Sequence, residues 1–469
     1  MSQPEPMLAP NNKSKLTFMK INAFAAGSFT VALLFGIANT YFTYFITDVA
    51  LVPAAVMGSA FLVTRLIDIG WTPLLAGLMQ NSRSKLGKYR SWIIYTMPIV
   101  FVFVVLCFTK ISGPPVLMAI LYGLFYLFGF GLLDKPGGAQ KALMVRMASD
   151  TRERMLLTSR AVQFENIGRI LFSALTLPLI GLIGGGNEAK GFFWVALIYA
   201  ALAVVGYYIT AWSGKEYDVY EAEEIKAKET LTVKQMFEVV VKTPPLLVSM
   251  LIEAIRYVAF MVFVSTMAYY FKYVINDINS LTNVLIITSI VCLGGSLVAP
   301  AISNKIGKKA TCVLAMALYA AGLLLPRFFA VGSIPFFTFC LSLAYIGQAL
   351  QHCVGVVLFS DSADYYESKT GVSAHGFVMS MYILPVEVAI AFSVPVVGWF
   401  LAAIGYDPNQ IPTAAQLVGI QNLVLLIPGL MFIGAVILAL LHPLSEKRLA
   451  KVQMDLQEMH ARTAAQAAE

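Results

Sequence analysis

The chain has 469 residues, of which 58% are hydrophobic and only 13% are charged, and its mean hydropathy is +0.75. Soluble proteins are about 45–50% apolar and about 25% charged, so this composition excludes an ordinary soluble domain and a disordered or collagen-like chain. The five cysteines show no CxxC spacing and no cysteine–histidine cluster, which excludes a disulfide scaffold and argues against a metal site. The composition therefore predicts an integral membrane protein.

The apolar residues fall into long stretches that predict membrane-spanning helices. A span needs about 20 apolar residues to cross ~30 Å of hydrocarbon. Twelve such stretches occur between residues 21 and 441; some are free of charge (91–109, 191–214), and others contain one or two charged residues (58–79, 374–404). They are too long and too continuous for the alternating strands of a membrane barrel. The sequence thus predicts an all-α membrane protein with twelve transmembrane helices.

Lysine and arginine are concentrated in alternate connections between these stretches. Four basic residues lie in 81–90, and 146–154, 215–242, 305–309 and the tail after 444 are also basic, whereas the opposite connections hold at most one. This distribution places both termini in the cytoplasm of a multi-pass protein of the cell inner (plasma) membrane. It also explains the net charge of +7 without a nucleic-acid partner. Residues 1–20 contain no apolar core of a signal peptide, so none is expected to be removed.

A basic motif occurs in both halves of the chain. Lys85-Leu-Gly-Lys88 follows the second predicted helix, and Lys305-Ile-Gly-Lys308 follows the eighth. Such a repeat is typical of transporters built from two duplicated bundles. The predicted organisation is a cytoplasmic N-terminus (1–20), an N-terminal six-helix bundle (21–213), a cytoplasmic linker (214–243), a C-terminal six-helix bundle (244–442) and a cytoplasmic tail (443–469).

The repeated basic loops predict a gate on the cytoplasmic side, in which basic side chains pair with acidic helix ends until the two halves rock. The alternative is that the loops only anchor the protein by the positive-inside effect. An acidic stretch that starts at Asp361 follows the tenth helix, in the position that Asp150 takes after the fourth. The predicted gating residues are Lys85, Gly87, Lys88, Arg90, Asp150, Arg154, Asp364, Tyr365, Glu367 and Lys369.

Ionisable residues inside the predicted spans mark candidate functional sites, because a charge in hydrocarbon is costly. Three pairs are spaced so that both members share a helix face, namely Arg65/Asp68, Glu165/Arg169 and Glu253/Arg256. Mutual neutralisation is the alternative explanation for each pair. Glu387 has no local partner, so it faces a cation or a distant arginine, or it stays protonated. Such a carboxyl group can bind and release a proton. His352, in the tenth helix, is either a structural residue or a substrate contact.

Three motifs resemble those of the glycoside–pentoside–hexuronide:cation symporters, the melibiose-permease branch of the major facilitator superfamily. Phe61-Leu-Val-Thr-Arg65-Leu-Ile-Asp68, followed by Ser82-Arg-Ser-Lys-Leu-Gly-Lys-Tyr-Arg90-Ser-Trp92, resembles the family signature of helix 2 and its loop. Asp364-Tyr365-x-Glu367-x-Lys369-x-Gly371 is similar to the motif of loop 10–11, and Glu153-Arg154 with Arg160 is similar to that of loop 4–5. The resemblance covers essentially the whole chain. It implies two six-helix bundles of the major facilitator fold and Na⁺- or H⁺-driven uptake of a sugar-like solute.

In the pocket that this resemblance implies, the sequence departs from the family. Of the two carboxylates on helix 2, the first is Asp68 and the second falls on Thr72, with Trp71 between them. The sugar-stacking tryptophan of helix 4 falls on Lys141, and the lysine of helix 11 falls on Glu387. By the resemblance, the candidate cation-coupling residues are Asp68, Glu387 and Thr72.

The changed pocket favours a proton over Na⁺ and is consistent with a uronide or another organic anion as the solute. A Na⁺ site wants several hard oxygen ligands, and Asp68 with Thr72 offers fewer than two or three carboxylates do. Basic residues would suit a carboxylate or sulfonate group. The candidate substrate-binding residues are Arg65, Trp71, Lys141, Arg160 and His352.

Together these features predict a secondary transporter that works by alternating access, as a monomer, and takes up a sugar-like solute such as a glycoside or uronide with a coupling cation. The alternative is the same fold carrying a non-sugar organic anion or an amphipathic solute, including an uncoupled facilitator. An enzyme is not expected, because the neighbouring reactive side chains His352 and Cys353 point ~100° apart on a helix. No cofactor is expected besides the transported H⁺ or Na⁺.

Overall fold

The computed structural model describes residues 16–80, 82, 84–148, 151–218, 239–329, 332–371, 378–379, 381–382, 384–444 and 446–468. This part of the chain is almost entirely helical, and twelve of its helices are long and apolar enough to cross a membrane. The predicted all-α class and the predicted number of spans are confirmed. Large apolar side chains such as Leu182, Leu297 and Phe329 are exposed on these helices, as expected where the surrounding solvent is lipid.

The first six helices contain two π-helical turns. Helix α1 is Phe18–Tyr44 and continues as the π turn Phe45–Val49. Helix α4 is Pro115–Tyr126, the π turn Leu127–Gly131 and Leu132–Met147. The others are α2 (Ala54–Gln80), α3 (Arg90–Cys107), α5 (Thr151–Gly184) and α6 (Glu188–Ser213).

The second half also contains two π turns, one at the end of α7 and one inside α12. Helix α7 is Pro244–Tyr269 and continues as the π turn Tyr270–Val274, and α12 is Ala414–Gln421, the π turn Asn422–Leu426 and Ile427–Leu441. The others are α8 (Ser280–Ile306), α9 (Lys308–Phe329), α10 (Ile334–Thr370) and α11 (Leu384–Ala403), and a terminal helix α13 (Glu446–Ala468) follows.

Two helices run past the ends that hydropathy predicted. The charge-free stretch 111–133 predicts that the fourth helix ends in Asp134-Lys135, but α4 continues to Met147. The acidic stretch after the tenth span was expected to be a loop, but it forms the last turns of α10, which ends where Gly371 adopts a φ of +70°. Both boundaries were wrong because hydropathy detects the hydrocarbon region, whereas a helix continues through polar sequence until a capping residue stops it.

The chain divides into two compact units, and their division does not follow the two halves of the sequence throughout. The first contains the described residues of Met1–Ala38 and Val63–Ile225, and the second contains Asn39–Leu62 with the described residues of Lys226–Glu469. Within the second unit the start of α2 packs closely on α11. A Cβ on Gly398 would lie 2.6 Å from the carbonyl oxygen of Ala54 and 2.9 Å from the Cα of Gly58. Only glycine permits this approach of two backbones.

Buried polar side chains hold the helices of the first unit together. The backbone N–H of Gly27 donates to Thr210 Oγ1 at 2.9 Å, joining α1 to α6. The Gln140 side-chain amide donates to the carbonyl oxygen of Phe24 at 2.8 Å and to Ser28 Oγ at 3.1 Å, joining α4 to α1. Helix backbones are already paired internally, so these few side chains decide which faces meet.

A buried histidine follows α12 in the second unit. His442 is 3% exposed; its Nε2 lies 3.0 Å from Ser249 Oγ, and its Nδ1 accepts the backbone N–H of Leu444 at 3.3 Å. Burial lowers the pKa of the His442 imidazole, and the nearby charge of Lys309 acts in the same direction. The imidazole is therefore neutral in the folded protein at neutral pH.

The lowered pKa of His442 predicts a loss of stability in acid. The unfolded chain takes up the proton near its ordinary pKa of about 6.5 while the folded chain resists it, so stability is fully present above that value and falls as the pH drops below it. We expect the Tm of the detergent-solubilised protein to fall from about pH 7.5 to about pH 5.5, and His442→Gln to reduce this fall. Equal slopes for the two proteins would assign the acid sensitivity to other groups.

Candidate functional site

A buried ion pair lies on α2 in the first unit. Arg65 and Asp68 are 6% and 9% exposed, and Arg65 Nη1 donates to Asp68 Oδ2 at 3.1 Å. Their three-residue spacing places both side chains on the same face of the helix, as the sequence indicated. Neither charge is left uncompensated, which a buried position in a spanning helix requires.

The hydroxyl group of Tyr126 on α4 completes the surroundings of Arg65. It accepts a hydrogen bond from Arg65 Nη2, and the guanidinium carbon lies 4.5 Å from the centroid of the tyrosine ring. Tyr126 is the last residue before the π turn of α4. No sequence pattern distinguishes it, because it is one of 21 tyrosines and lies in a charge-free span.

The π turn of α4 also brings Gly131 against the carboxylate of Asp68. A Cβ on this glycine would lie 3.0 Å from Asp68 Oδ1. The extra residue of a π turn changes the helix face that follows it, and such turns are frequent at functional sites. The residue before the turn, Tyr126, therefore contacts Arg65, and Gly131 at the end of the turn lacks the Cβ that would crowd Asp68.

Trp71 lies on the same helix as the ion pair and packs on the π turn of α4. Its ring meets that of Phe128 edge to face at 5.3 Å, and its indole Nε1 is buried without a hydrogen-bond partner among the described residues. A buried N–H without a partner is uncommon, so this donor is available to a ligand or a water molecule. Thr72 follows on α2, four residues after Asp68, but its side chain lies outside the described part of the structure.

The remaining basic candidates do not converge on this pair. Lys141 is exposed on α4, and Arg160 is half-buried with its guanidinium carbon 5.5 Å from the ring of Phe18. Among the described residues no hydrogen bond or ion pair joins either of them to Arg65 or Asp68. His352 is exposed on α10 and belongs to the second unit.

Glu387 lies nearer a helix end than the sequence predicted. The eleventh span was expected to begin at residue 374, but α11 begins at Leu384, so Glu387 is in its first turn and half-buried. The unpaired N–H groups of a first turn favour a negative charge. Within the described residues no basic side chain lies at ion-pair distance from Glu387.

The other two predicted intrahelical pairs are formed. Arg256 and Glu253 are buried in the second unit, with Nε and Oε2 2.8 Å apart, and Gln351 of α10 donates to Oε1 of the same carboxylate at 2.7 Å. Arg169 Nη2 and Glu165 Oε1 are 2.5 Å apart on an exposed face of α5. Mutual neutralisation is thus present in both pairs.

The first basic loop is held by an aspartate of its own unit. Asp218, just after α6, accepts the backbone N–H groups of Tyr89 and Arg90, each at 2.8 Å, and its other oxygen lies 3.4 Å from Arg146 Nη1. Gly87 has a φ of +104°, and a Cβ on it would meet this carboxylate at 2.5 Å. Lys85 of the same loop is exposed and Lys88 is half-buried. The glycine of the repeated motif is therefore required by the loop backbone and by Asp218.

The second basic loop is held in a corresponding way. Lys308 Nζ lies 2.8 Å from both carboxylate oxygens of Asp361 on α10, and Gly307 before it has a φ of +86°. The expected pairing of a basic loop with an acidic helix end is thus present in the second unit. The other predicted gating residues of α10, all on its last turns, are the half-buried Asp364, Tyr365 and Glu367 and the exposed Lys369. Asp150 and the side chain of Arg154 lie outside the described residues.

We predict that Gly131→Ala destabilises the protein by crowding Asp68. Overpacking of a well-packed interior costs about 1–3 kcal/mol, so the variant should unfold at a lower temperature than the wild type. Gly138→Ala is the matched control, because a Cβ there would have no neighbour within 4 Å on the same helix. A thermal unfolding curve of each purified variant measures the effect, and equal Tm values for the two variants would contradict it.

Comparison with known proteins agrees with this architecture. An isoprimeverose transporter from Lactiplantibacillus pentosus is 27% identical over 96% of this chain and 93% of its own length. A protein of Escherichia coli named as a candidate 2,3-dihydroxypropane-1-sulfonate exporter is 26% identical over 96% of this chain and 97% of its own length. The crystal structure of the nucleoside transporter NupG superposes with a TM-score of 0.60 at 15% identity, over 91% of this chain and 98% of that one, which shows a shared fold.

A family model assigns the chain directly. The model described as MFS/sugar transport protein matches residues 23–446, which include all twelve spans except the first residues of α1. Its members are transporters and not enzymes, in agreement with a chain built almost entirely from spanning helices. The protein belongs to the MFS/sugar transport family and is a multi-pass membrane transporter.

Proposed function

We propose that this transporter takes up a sugar-like solute with an anionic group, such as a uronide or a sugar sulfonate, together with a proton. The observation that carries the proposal is the buried Arg65–Asp68 pair, in which one ionisable carboxylate holds one guanidinium group. Alternating access would expose this site to each side of the membrane in turn.

The geometry of Arg65 supports binding of an anion. A guanidinium group has five N–H donors in a planar fork, which matches a carboxylate or sulfonate. Among the described residues, the ion pair with Asp68 and the hydrogen bond to Tyr126 occupy two of these donors, and the others would bind the solute. Trp71 adds a buried N–H donor and an apolar ring near the same stretch of α2.

The charge balance of the pair supports coupling to a proton. A buried arginine needs a counter-ion, which the ionised Asp68 supplies when no solute is bound. When Asp68 accepts a proton it releases Arg65 Nη1, and the anion of the solute then becomes the counter-ion. Proton and anion therefore bind together, because either one alone leaves the site with an uncompensated charge.

The same pair disfavours Na⁺ as the coupling ion. A Na⁺ ion at Asp68 would lie next to the guanidinium group that already contacts Oδ2. Hard cations prefer several oxygen ligands. The resemblance places Thr72 where the family has its second carboxylate, so one negatively charged ligand is missing. Glu387, in the first turn of α11, is proposed as a second proton-binding group.

We also propose an orientation in the membrane, a role for the basic loops and further solute contacts. Both termini would lie in the cytoplasm of the inner membrane, because the loops after α2 and α8 are basic. The hydrogen bonds that Asp218 accepts from the first loop, and the ion pair of Asp361 with Lys308 of the second, would keep these loops in place while the gate opens and closes. Lys141, Arg160 and His352 are proposed as solute contacts, and the transporter would act as a monomer.

A second candidate substrate is a non-sugar organic anion. It is favoured by the name of the Escherichia coli relative, which refers to a three-carbon sulfonate, whereas the Lactiplantibacillus relative is named for a sugar. Both classes would use Arg65 for the anionic group. They differ in whether a sugar ring is needed.

A binding screen with matched ligands tests the substrate class. We expect a uronide or sugar sulfonate to raise the Tm of the purified protein, and the neutral glycoside of the same ring to raise it much less. At about 100 times Kd a ligand stabilises the protein by about 2.7 kcal/mol. A shift with the three-carbon sulfonate alone would favour the second candidate, and a shift with neutral glycosides alone would contradict the role of Arg65.

Uptake into proteoliposomes tests the coupling residue. Asp68→Asn cannot take up a proton, so we expect it to lose at least about tenfold of the accumulation driven by a pH gradient, which corresponds to about 1.4 kcal/mol, while it still exchanges solute across the membrane. Exchange in the same variant is the control for folding and binding. Glu387→Gln should shift the pH optimum of uptake. Unchanged accumulation by Asp68→Asn would remove Asp68 from the coupling mechanism.

A further inference from the structure

The ends of α1 and α7 have the same backbone geometry. Each helix ends in a π turn, after which Ala50 N–H donates to the carbonyl of Phe45 at 2.8 Å and Ile275 N–H donates to that of Tyr270 at 3.0 Å. The next residues, Leu51 and Asn276, have φ values of +64° and +58° and are the two non-glycine residues of the described chain with positive φ. Such values are uncommon for residues with a Cβ, and they recur at functional sites.

A second pair of hydrogen bonds extends the correspondence. Val52 N–H donates to the carbonyl of Ile46, and Asp277 N–H donates to that of Phe271, both at 3.0 Å. The turn is therefore repeated residue by residue in the two halves of the sequence. Both copies belong to the second unit, because Asn39–Leu62 is part of it.

A buried aspartate of the first turn is bound by side chains of the second. The side chain of Asp48, in the first turn, is 0% exposed. Its Oδ1 accepts the hydroxyl of Tyr406 at 2.7 Å and that of Tyr273, and Lys272 Nζ lies 3.4 Å away. Its Oδ2 accepts a hydrogen bond from the hydroxyl of Thr47 at 2.7 Å. The donors therefore come from α1, from α7 and from the connection after α11.

Three further contacts close a network around this carboxylate. Thr47 Oγ1 and the hydroxyl of Tyr269 lie 2.6 Å apart, Lys272 Nζ donates to the hydroxyl of Tyr44 at 2.7 Å, and the hydroxyl of Tyr406 lies 2.9 Å from that of Tyr273. The rings of the tyrosines meet edge to face. We call this group the Asp48 cluster; its members are Tyr44, Thr47, Asp48, Tyr269, Lys272, Tyr273 and Tyr406.

The Asp48 cluster is satisfied only when it is complete. Burying a carboxylate is costly, and the cost is offset by the ammonium group and three hydroxyl donors. Burial, together with the charge of Asp48, raises the pKa of the Tyr406 hydroxyl, so that this group remains a donor. A partly separated cluster would leave a charge without partners, whereas full separation lets water replace them. Because partial separation is costly, we expect the contact to separate as a whole.

The rest of Asn39–Leu62 packs against the same helices. Besides the contact of Gly58 with Gly398, the indole N–H of Trp399 donates to Ser59 Oγ at 3.3 Å. The first is a close approach of two backbones at glycine, and the second is a single hydrogen bond between neutral groups. They bring the surfaces together, and the charged cluster at the helix ends supplies the strong directional bonds.

We propose that the Asp48 cluster is the latch of the transporter's second gate, on the side of the membrane opposite the basic loops. It holds Asn39–Leu62, which comes from the first half of the sequence, on the helices of the second half while that side is closed, and it separates when that side opens. This rests on the proposed alternating-access function. Asp48 acts on access to the site and does not contact the solute.

Distance measurement between two spin labels tests the latch. In the full-length protein, with the five native cysteines replaced, labels on Ala55→Cys and Ile411→Cys report the separation of the α1–α2 turn from the connection after α11; both positions are exposed. We expect Asp48→Asn to raise the ratio of the long to the short distance about tenfold, which corresponds to about 1.4 kcal/mol. A distribution equal to that of the wild type would overturn the proposal.

Two further variants keep the test decisive. Tyr406→Phe removes one donor and leaves the aspartate, so it should shift the distribution in the same direction by less, and it settles the question if Asp48→Asn does not fold. Asp277→Asn is the matched control, because that aspartate follows the corresponding turn of α7, but in the described part of the chain it receives hydrogen bonds only from Ser280 and Asn279. A shift in Asp277→Asn as large as that in Asp48→Asn would also contradict the latch.

The outcome is separable from that of the proposed function. If the wild type transports none of the tested solutes, the proposed substrate class fails, while the spin-label distances still report whether Asp48 holds the turn. If transport is found and the distances do not respond to either latch variant, the latch fails and the transporter remains.

Discussion

Hydrocarbon offers a charged side chain no partner, so each ionised group within a spanning helix must find its counter-charge or its hydrogen bonds inside the protein. The buried groups of this transporter follow that constraint. Arg65 is matched by Asp68 and Tyr126, and Arg256 is matched by Glu253, which also receives Gln351. The same requirement makes such pairs candidates for ion coupling. When a proton or an anion binds to one member of a pair, the other member loses its counter-charge and must find a new one.

Local breaks in helix geometry position these groups. The π turn of α4 separates Tyr126, which contacts Arg65, from Gly131, which leaves room for Asp68. The π turns that end α1 and α7 bring Asp48 and Tyr273 together. A regular helix would place the following residues on other faces, so the breaks are part of how the sites are built.

The internal repeat shows what duplication kept and what diverged. Both halves keep a glycine with positive φ beside a basic loop, at Gly87 and Gly307. An aspartate holds each loop, but from different places in the two halves, since Asp218 follows α6 and Asp361 lies on α10. They also keep the turn after α1 and α7. At the position within that turn where the first copy has Asp48, the second has Tyr273, and the two bind each other. Two aspartates at these positions would repel each other, whereas the tyrosine of the second copy donates a hydrogen bond to the aspartate of the first.

The sequence by itself determined the class of protein, its twelve spans and the pairing of charges three or four residues apart, since hydropathy and helical periodicity are local properties. It also located the repeated basic loops. Only the tertiary structure revealed Tyr126, Asp218 and the Asp48 cluster, because their partners lie on other helices and tyrosines in apolar spans carry no pattern. The structure also shows that Glu387 lies at a helix end and that α10 continues through its charged stretch, unlike the prediction. Helix ends depend on caps and packing and not on hydropathy.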